Sequence, residues 1–289
     1  MITILGTGLL GSGFAQALRK RGEAVRVWNR SPGKARALAA LGATPVADPA
    51  EAVRGAERTH VVVSDDAAVD AVLAAAAPGF GAGALVLDHS TTSTAGARER
   101  TARWRARGIV YQHAPVFMGP QNAAESSGVM LLSGDREVVA RVSPLLKPLT
   151  GKLVDLGPRV DAAAAYKLLG NLFLLALTAG FTDVLALARA MDVPPAEVAG
   201  LFDAFNPGAA VPARFKRILE ADFDHPTWEL AMARKDARLM LAEADAAGIA
   251  LSMLPAFAAR MDRLLAQGHG QQDWTVVAQE FVAAPTSGA

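Results

Sequence analysis

The stretch that most limits what this chain can fold into is its beginning. Ile2 to Leu5 is a short apolar run, Gly6-Thr7-Gly8-Leu9-Leu10-Gly11 follows at once, and a helical pattern then runs from about Leu10 to Arg21. A GxGxxG sequence alone is weak evidence; strand, glycines and helix in this order make it a strong one. Each glycine has a task. Gly6 permits the tight turn, Gly8 lets backbone approach a pyrophosphate, and Gly11 lets the helix pack closely on the strand. The helix then offers free N–H groups and the positive end of its dipole to phosphates, so Thr7, Leu9 and Leu10 join the glycines in a predicted phosphate loop.

Ala24 to Trp28 reads as the second strand, whose end faces the adenosine ribose in such a unit. An acidic residue there would hold the ribose hydroxyls of NAD. Here the chain reads Asn29-Arg30-Ser31, with Lys34 and Arg36 beyond and no carboxylate. A guanidinium, a hydroxyl and an ammonium suit a 2′-phosphate, which predicts NADP(H) over NAD(H). The alternation continues through strand patterns at Ala43–Val46, His60–Val63, Ala84–Asp88, Ile109–Ala114, Val129–Ser133 and Leu153–Leu156. Helical segments such as Pro49–Val53 and Ala67–Ala77 lie between them. This βαβ rhythm predicts the α/β class, with a doubly wound parallel sheet and its ligand at the carboxyl ends of the strands. Strand patterns stop near Gly157-Pro158. The expected division is residues 1–158 as a dinucleotide-binding Rossmann domain and 159–289 as a smaller all-helical domain for substrate and dimerisation.

A long helix links the two. Asp161 to Asp192 contains no proline and is rich in Ala and Leu, which predicts a helix of roughly 45 Å. It is apolar nearly all round and therefore predicted to be buried on most faces. Its apolar run between Lys167 and Asp183 contains Asn171 and falls short of the ~20 residues of a membrane span. Lys167 and Asn171 share a face and can touch one small ligand together. Taken alone, the pair reads equally as a lysine snorkelling to solvent or as an active-site ammonium with an amide neighbour. Pro194–Phe205, Pro212–Leu219, Trp228–Ala247, Pro255–Ala266 and Trp274–Val282 read as the remaining helices, and Ala283–Ala289 as a frayed tail. They offer little cover for so apolar a helix, which predicts a homodimer that shares helices.

Composition removes several function classes. Among 289 residues, 29 are basic and 28 acidic, so the balance favours neither nucleic acid nor an anionic membrane. Arg98 to Arg107 (RERTARWRAR) is a local basic run with helical spacing and Glu99 inside it, and reads as a solvated helix face. The absence of cysteine excludes disulfides, thiolate metal sites and a cysteine nucleophile. The histidines show no ligand spacing, so no metal is predicted. With the first motif starting at residue 2, no targeting segment fits, and a cytoplasmic location is expected.

Asp88-His89-Ser90-Thr91, Ala114-Pro115-Val116 and Lys167-Leu168-Leu169-Gly170-Asn171 together resemble the β-hydroxyacid dehydrogenase family, which includes 3-hydroxyisobutyrate dehydrogenase and tartronate semialdehyde reductase. Lys235-Asp236 and Gly268-His269-Gly270 with Asp273 extend the resemblance over essentially the whole chain. It implies an active site in a cleft between a Rossmann and a helical domain. Lys167 would be the catalytic lysine, Asn171 its amide neighbour at the substrate, Ser90 a substrate contact, Thr91 a neighbour of the nicotinamide ribose, and Lys235 a lysine closing over the cofactor. Val63 and Ser64 fall where the family has Leu-Pro against the cofactor.

The substrate loop departs from the family pattern Asp-Ala-Pro-Val-Ser-Gly-Gly, whose Ser-Gly pair binds a carboxylate. Here it reads His113-Ala114-Pro115-Val116-Phe117-Met118-Gly119. Phe117, Met118 and Gly119 become the predicted substrate contacts, with two bulky apolar side chains in place of a hydroxyl and open backbone. The expected activity is hydride transfer between NADPH and a small carbonyl compound, uncharged near the reacting carbon, with Lys167 as general acid. An alternative for the loop is that backbone N–H groups, Gln121 or Asn122 bind an acid. An imine reductase is the nearest alternative enzyme, favoured by the apolar loop and opposed by Lys167. A non-catalytic NADPH-binding scaffold is the alternative from another class. Length excludes a 6-phosphogluconate dehydrogenase, whose helical domain is much larger.

Overall fold

The computed structural model describes residues 1–282. The chain forms two compact units, one up to Leu172 and one from Phe173 on. In the first, strands β1 (Ile2–Leu5), β2 (Val25–Trp28), β3 (Thr44–Pro45), β4 (Arg58–Val61), β5 (Leu85–Asp88) and β6 (Val110–His113) form a sheet in the order β3-β2-β1-β4-β5-β6. Every pairing in it is parallel. The connections are helices α1 (Leu9–Lys20), α2 (Pro32–Ala37), α3 (Pro49–Val53), α4 (Asp66–Ala76) and α5 (Thr94–Arg105). All residues of β1, β4 and β5 are buried, as a parallel sheet covered on both faces requires. Phe14 and Leu18 pack with Ile2, Ile4 and Leu87 in one core, whereas Leu73 and Trp104 pack with Leu5, Val61 and Val86 in the other. The order of strands reverses between β1 and β4, and a crevice at that switch point is where such sheets take their ligands.

The remaining strands do not extend this sheet. β7 (Val116–Phe117), β8 (Val129–Leu132) and β9 (Lys152–Asp155) form a separate one, accompanied by helices α6 (Pro120–Ala124) and α7 (Arg136–Leu146). β7 runs antiparallel to β8, with Phe117 opposite Val129. The sequence gives no sign of β7, because two residues are too few for an alternation. Pro115 stands between β6 and β7, and its carbonyl accepts the Leu131 N–H at 2.9 Å, where pairing with β8 takes over.

Helix α8 (Ala162–Ala190) follows, and then α9 (Pro195–Ala204), α10 (Val211–Leu219), α11 (Leu230–Ala246), α12 (Leu254–Ala266) and a 3-10 segment at Trp274–Phe281. The second unit has its own core of Phe223, Leu230, Met261, Leu264 and Val276. Asp183 accepts backbone N–H bonds from Ser252, Met253 and Leu254 at 2.6 to 2.9 Å, fixing the entry to α12. The apolar helix thus uses its single acid as a cap for a neighbour.

Three expectations are corrected here. α8 is not buried on most faces: Leu168, Leu169, Leu172, Phe173, Leu174 and Leu175 are between 43% and 69% exposed. Apolar periodicity reports that a face needs cover, not what supplies it. The basic run is not a uniformly solvated face either, since Arg100 is 1% exposed and bonded to Asp66 and Tyr111. Finally, β4 begins at Arg58 rather than His60. Arg58 is a buried arginine paired with Glu57, and a charged residue conceals a strand from an apolar-run reading. The tail at 283–289 lies outside the described residues.

Candidate active site

A cavity of about 500 Å³ opens at the switch point. Its walls include Gly6, Gly8, Leu9, Leu10 and Gly11 of the β1–α1 turn, and Trp28, Asn29, Arg30, Ser31 and Lys34 from the end of β2 onward. Gly6 has φ +100° and a Cβ there would run into the Val62 carbonyl, while a Cβ on Gly11 would collide with the carbonyl of Gly6. Gly8, by contrast, has open space around its Cβ position. It caps α1 without any side-chain hydrogen bond, so the first-turn N–H groups stay available to an anion. Asn29 accepts from the Thr7 N–H at 2.9 Å and donates to the Ser31 carbonyl at 3.1 Å, tying the phosphate turn to the loop after β2. Arg30 and Lys34 bring cationic side chains to the cavity and no acid lines it, so the cradle fits the phosphates of a dinucleotide.

Of the opposite wall, the family resemblance pointed to Val63 and Ser64 but to nothing on α4. Val62, Val63 and Ser64 follow β4, and Ala68, Ala71, Val72 and Ala75 present one face of α4. Their helical spacing is a readable signal, but small apolar residues on a helix ordinarily mark core. Val63 and Ser64 are held by the neighbouring loop, because the Ser90 hydroxyl accepts the Val63 N–H at 3.0 Å.

Beneath these loops lies a buried polar network. Asp88 accepts the Ser90 N–H at 2.9 Å and the Tyr111 hydroxyl at 2.5 Å. Arg100 donates to Tyr111 at 3.1 Å and to Asp66 at 2.6 Å. His89 Nδ1 lies 2.8 Å from the Ala114 carbonyl, which only a protonated nitrogen can satisfy, so a neutral His89 must accept at Nε2 from His60 Nδ1, also at 2.8 Å. His113 Nε2 donates to the Ser90 carbonyl at 2.9 Å. Burial lowers the pKa of all three histidines, His89 to about 4. The network fixes the loop that carries Ser90 and the half-buried Thr91.

Lys167 sits on the first unit's part of α8 and is 9% exposed. Its Nζ donates to Asn171 Oδ1 at 2.9 Å and lies 4.4 Å from the centre of the Phe117 ring. Burial pushes its pKa down. Phe117 and Met118 part company: Phe117 turns to Lys167, whereas Met118 packs against the core. Gly119 N–H is taken by Asn122 Oδ1 at 2.9 Å, and Gln121 donates to Glu125 at 3.0 Å. Both amides that could have received an acid are engaged locally. Lys235 belongs to the second unit, on α11, where its ammonium meets Asp236 at 2.7 Å.

Comparison with known proteins decides the family. The model of the NAD binding domain of 6-phosphogluconate dehydrogenase matches residues 1–157, and that of NAD-binding of NADP-dependent 3-hydroxyisobutyrate dehydrogenase matches residues 162–281. The chain belongs to the β-hydroxyacid dehydrogenase family. As a member it is an NAD(P)-binding oxidoreductase. It is similar to 3-sulfolactaldehyde reductase of Escherichia coli, at 26% identity over 96% of this chain and 95% of that protein. NAD-dependent L-serine dehydrogenase of Pseudomonas aeruginosa is 27% identical, over 99% of both. Among solved structures, a reductive aminase from Aspergillus terreus in complex with NADPH4, cyclohexanone and allyl amine superposes with a TM-score of 0.89 at 26% identity, over 97% of this chain and 98% of that one. The dehydrogenase fold therefore carries both kinds of nicotinamide cofactor and more than one reducible group among its relatives.

Proposed function

We propose that this dehydrogenase reduces a small carbonyl compound, uncharged beside the reacting carbon, with NADPH as hydride donor and Lys167 as general acid. The observation that carries the reading is the buried Lys167 ammonium, bonded to one amide and covered by an aromatic ring where a family member has its carboxylate-binding Ser-Gly pair. NADPH, when bound, supplies the hydride. Lys167 donates a proton from Nζ to the oxygen as its negative charge grows, and recovers it in the reverse direction. Its lowered pKa makes it a better acid than a solvent-exposed lysine. Asn171 aims the ammonium. Arg30, Ser31 and Lys34 take the 2′-phosphate, and Ser90, Thr91, Val63 and Ser64 bound the nicotinamide end. An anionic substrate pressed onto Phe117 would lose hydration without gaining a donor, a cost of several kcal/mol.

C=N reduction is the second reading, favoured by the likeness to a reductive aminase and by the apolar Phe117. Lys167 opposes it, since an iminium needs no proton donor at the reacting atom. The exposed apolar side of α8 supports a homodimer whose second copy covers it. The same helix, expected from its apolar run to fall short of a membrane span, is by length and composition long and apolar enough to cross one. A homogeneous dimer by light scattering in detergent-free buffer is the expected result, and extraction only with detergent would replace it.

Substrate class is tested by kcat/KM for an acid and its neutral ketone or ester analogue, alongside cyclic imines. The neutral carbonyl should be preferred, and Phe117→Ser with Met118→Gly should move preference toward acids. A wild-type preference for the acid of about tenfold or more defeats the neutral-substrate reading. Arg30→Asp should weaken NADPH by roughly 2 to 4 kcal/mol and NADH far less. Equal losses would make Arg30 a structural residue.

A further inference from the structure

Phe117 does something the reaction as described does not require: it sits on the backbone of α8. A Cβ on Gly170 would collide with the ring's Cζ and approach Cε1 to 2.6 Å. The glycine is helical, so its lack of a side chain serves the ring rather than the backbone conformation. Gly170 lies in the turn of α8 that carries both Lys167 and Asn171, and the centre of the seated ring lies 4.4 Å from the Lys167 ammonium. Among the described residues Lys167 has no ion pair. Asp161, the acid closest to it in sequence, is occupied by Arg98 and Arg159. Burial is the cause that lowers the lysine's affinity for its proton, with no contribution from a charged neighbour.

An ammonium buried without a carboxylate tends to lose its proton, and one held by a carboxylate keeps it too firmly to act as an acid. The negative face of an aromatic ring lies between these extremes, because it attracts the cation without forming an ion pair. We propose that Phe117 is a positioning residue for Lys167: its ring, seated in the notch left by Gly170, keeps the buried ammonium protonated and aimed in the absence of a carboxylate partner. The proposal rests on the reading of Lys167 as general acid.

The test is a titration of the lysine ε-carbons by NMR in the full-length enzyme, with Lys167→Met identifying the resonance. Phe117→Tyr keeps a ring face and should titrate with wild type. Phe117→Leu keeps apolar bulk only and should titrate lower by roughly 0.5 to 1 pH unit. The alkaline limb of kcat in the reductive direction should move by the same amount, with KM little changed. Gly170→Ala, which pushes the ring away, should reproduce that shift alone and add nothing to Phe117→Leu. A Phe117→Leu resonance that titrates with wild type overturns the proposal, as does a Gly170→Ala shift that adds in full to Phe117→Leu. Should Gly170→Ala not fold, the Tyr and Leu variants at 117 decide by themselves. If the resonance shifts and the kcat profile does not, the contact stands and the general-acid reading falls.

Discussion

Two groups of buried ionisable side chains in the first unit differ in how they are satisfied, the network under the loops after β4, β5 and β6, and the Lys167 end of α8. In the network, Arg100 is 1% exposed and contacts Tyr111, Asp66 and Asp70. Both oxygens of Asp88 are bonded. Lys167 is almost as buried, yet its ammonium has one hydrogen bond and a ring face. Arg100, bonded through all three of its nitrogens, is a guanidinium that does not give up its proton, so the network positions loops. An ammonium with donors to spare can give one up. Burial alone therefore does not mark the reactive group, and neither does a missing partner, since His60 Nε2 and His113 Nδ1 also lack one on imidazoles whose pKa burial lowers; what sets Lys167 apart is a cation with N–H donors to spare.

The largest effect should come from that cation. Lys167→Ala should lower turnover by about 10² to 10⁴ with NADPH binding nearly unchanged. Lys167→Met should leave thermal stability equal or higher, because removing an under-paired buried charge relieves its desolvation. Single-turnover kinetics and a melting curve on the same variants make the check. More than half of wild-type turnover would erase the distinction between the two regions.

Acid should act on the other region. A base whose folded pKa is depressed binds more protons when unfolded, so stability falls as pH drops below the unfolded value near 6.5. For His89, with a folded pKa of about 4, the loss accumulates to about 3 kcal/mol between those limits. His60 and His113 are lowered for the same reason and act in the same direction. Carboxylates with depressed pKa, such as Asp155 at about 2, lose stability only below about pH 3.8, so urea titrations between pH 7 and 4 isolate the histidines. A flat profile there would show that the histidines are solvated or charged in the folded protein.

Tyr111→Phe gives the smallest effect and the sharpest contrast. It leaves one oxygen of Asp88 and Nε of Arg100 without their partner, a loss of about 1 to 3 kcal/mol in stability. Turnover at saturating substrate should change little. A large fall in kcat at unchanged stability would place the network in the chemistry rather than beneath it.

How much of this could be read in advance follows from the range of each interaction. The phosphate turn was legible because its demands are local: φ +100° at Gly6 and the close approach at Gly11 are properties of a few consecutive residues. The Lys167–Asn171 bond was legible for the same reason, since spacing along one helix sets it. Arg100 was misjudged because its neighbours Asp66, Asp70 and Tyr111 arrive from α4 and β6. The alanines of α4 were passed over because nothing in a helical alanine says whether core or ligand lies opposite.

The sequence by itself determined the order of strands and helices, the anion-binding turn, the absence of an acid at the ribose end and the face shared by Lys167 and Asn171. These depend on backbone sterics and on periodicity along one element. Only the tertiary structure decided that Met118 turns to the core while Phe117 turns to the lysine, that Gly170 makes room for the ring, and that one side of α8 is left uncovered. Side-chain direction after Pro115 is set by the pairing of Phe117 with Val129. Those two strands are joined by contacts that no local pattern encodes, and cover is a property of whatever surrounds a helix rather than of the helix.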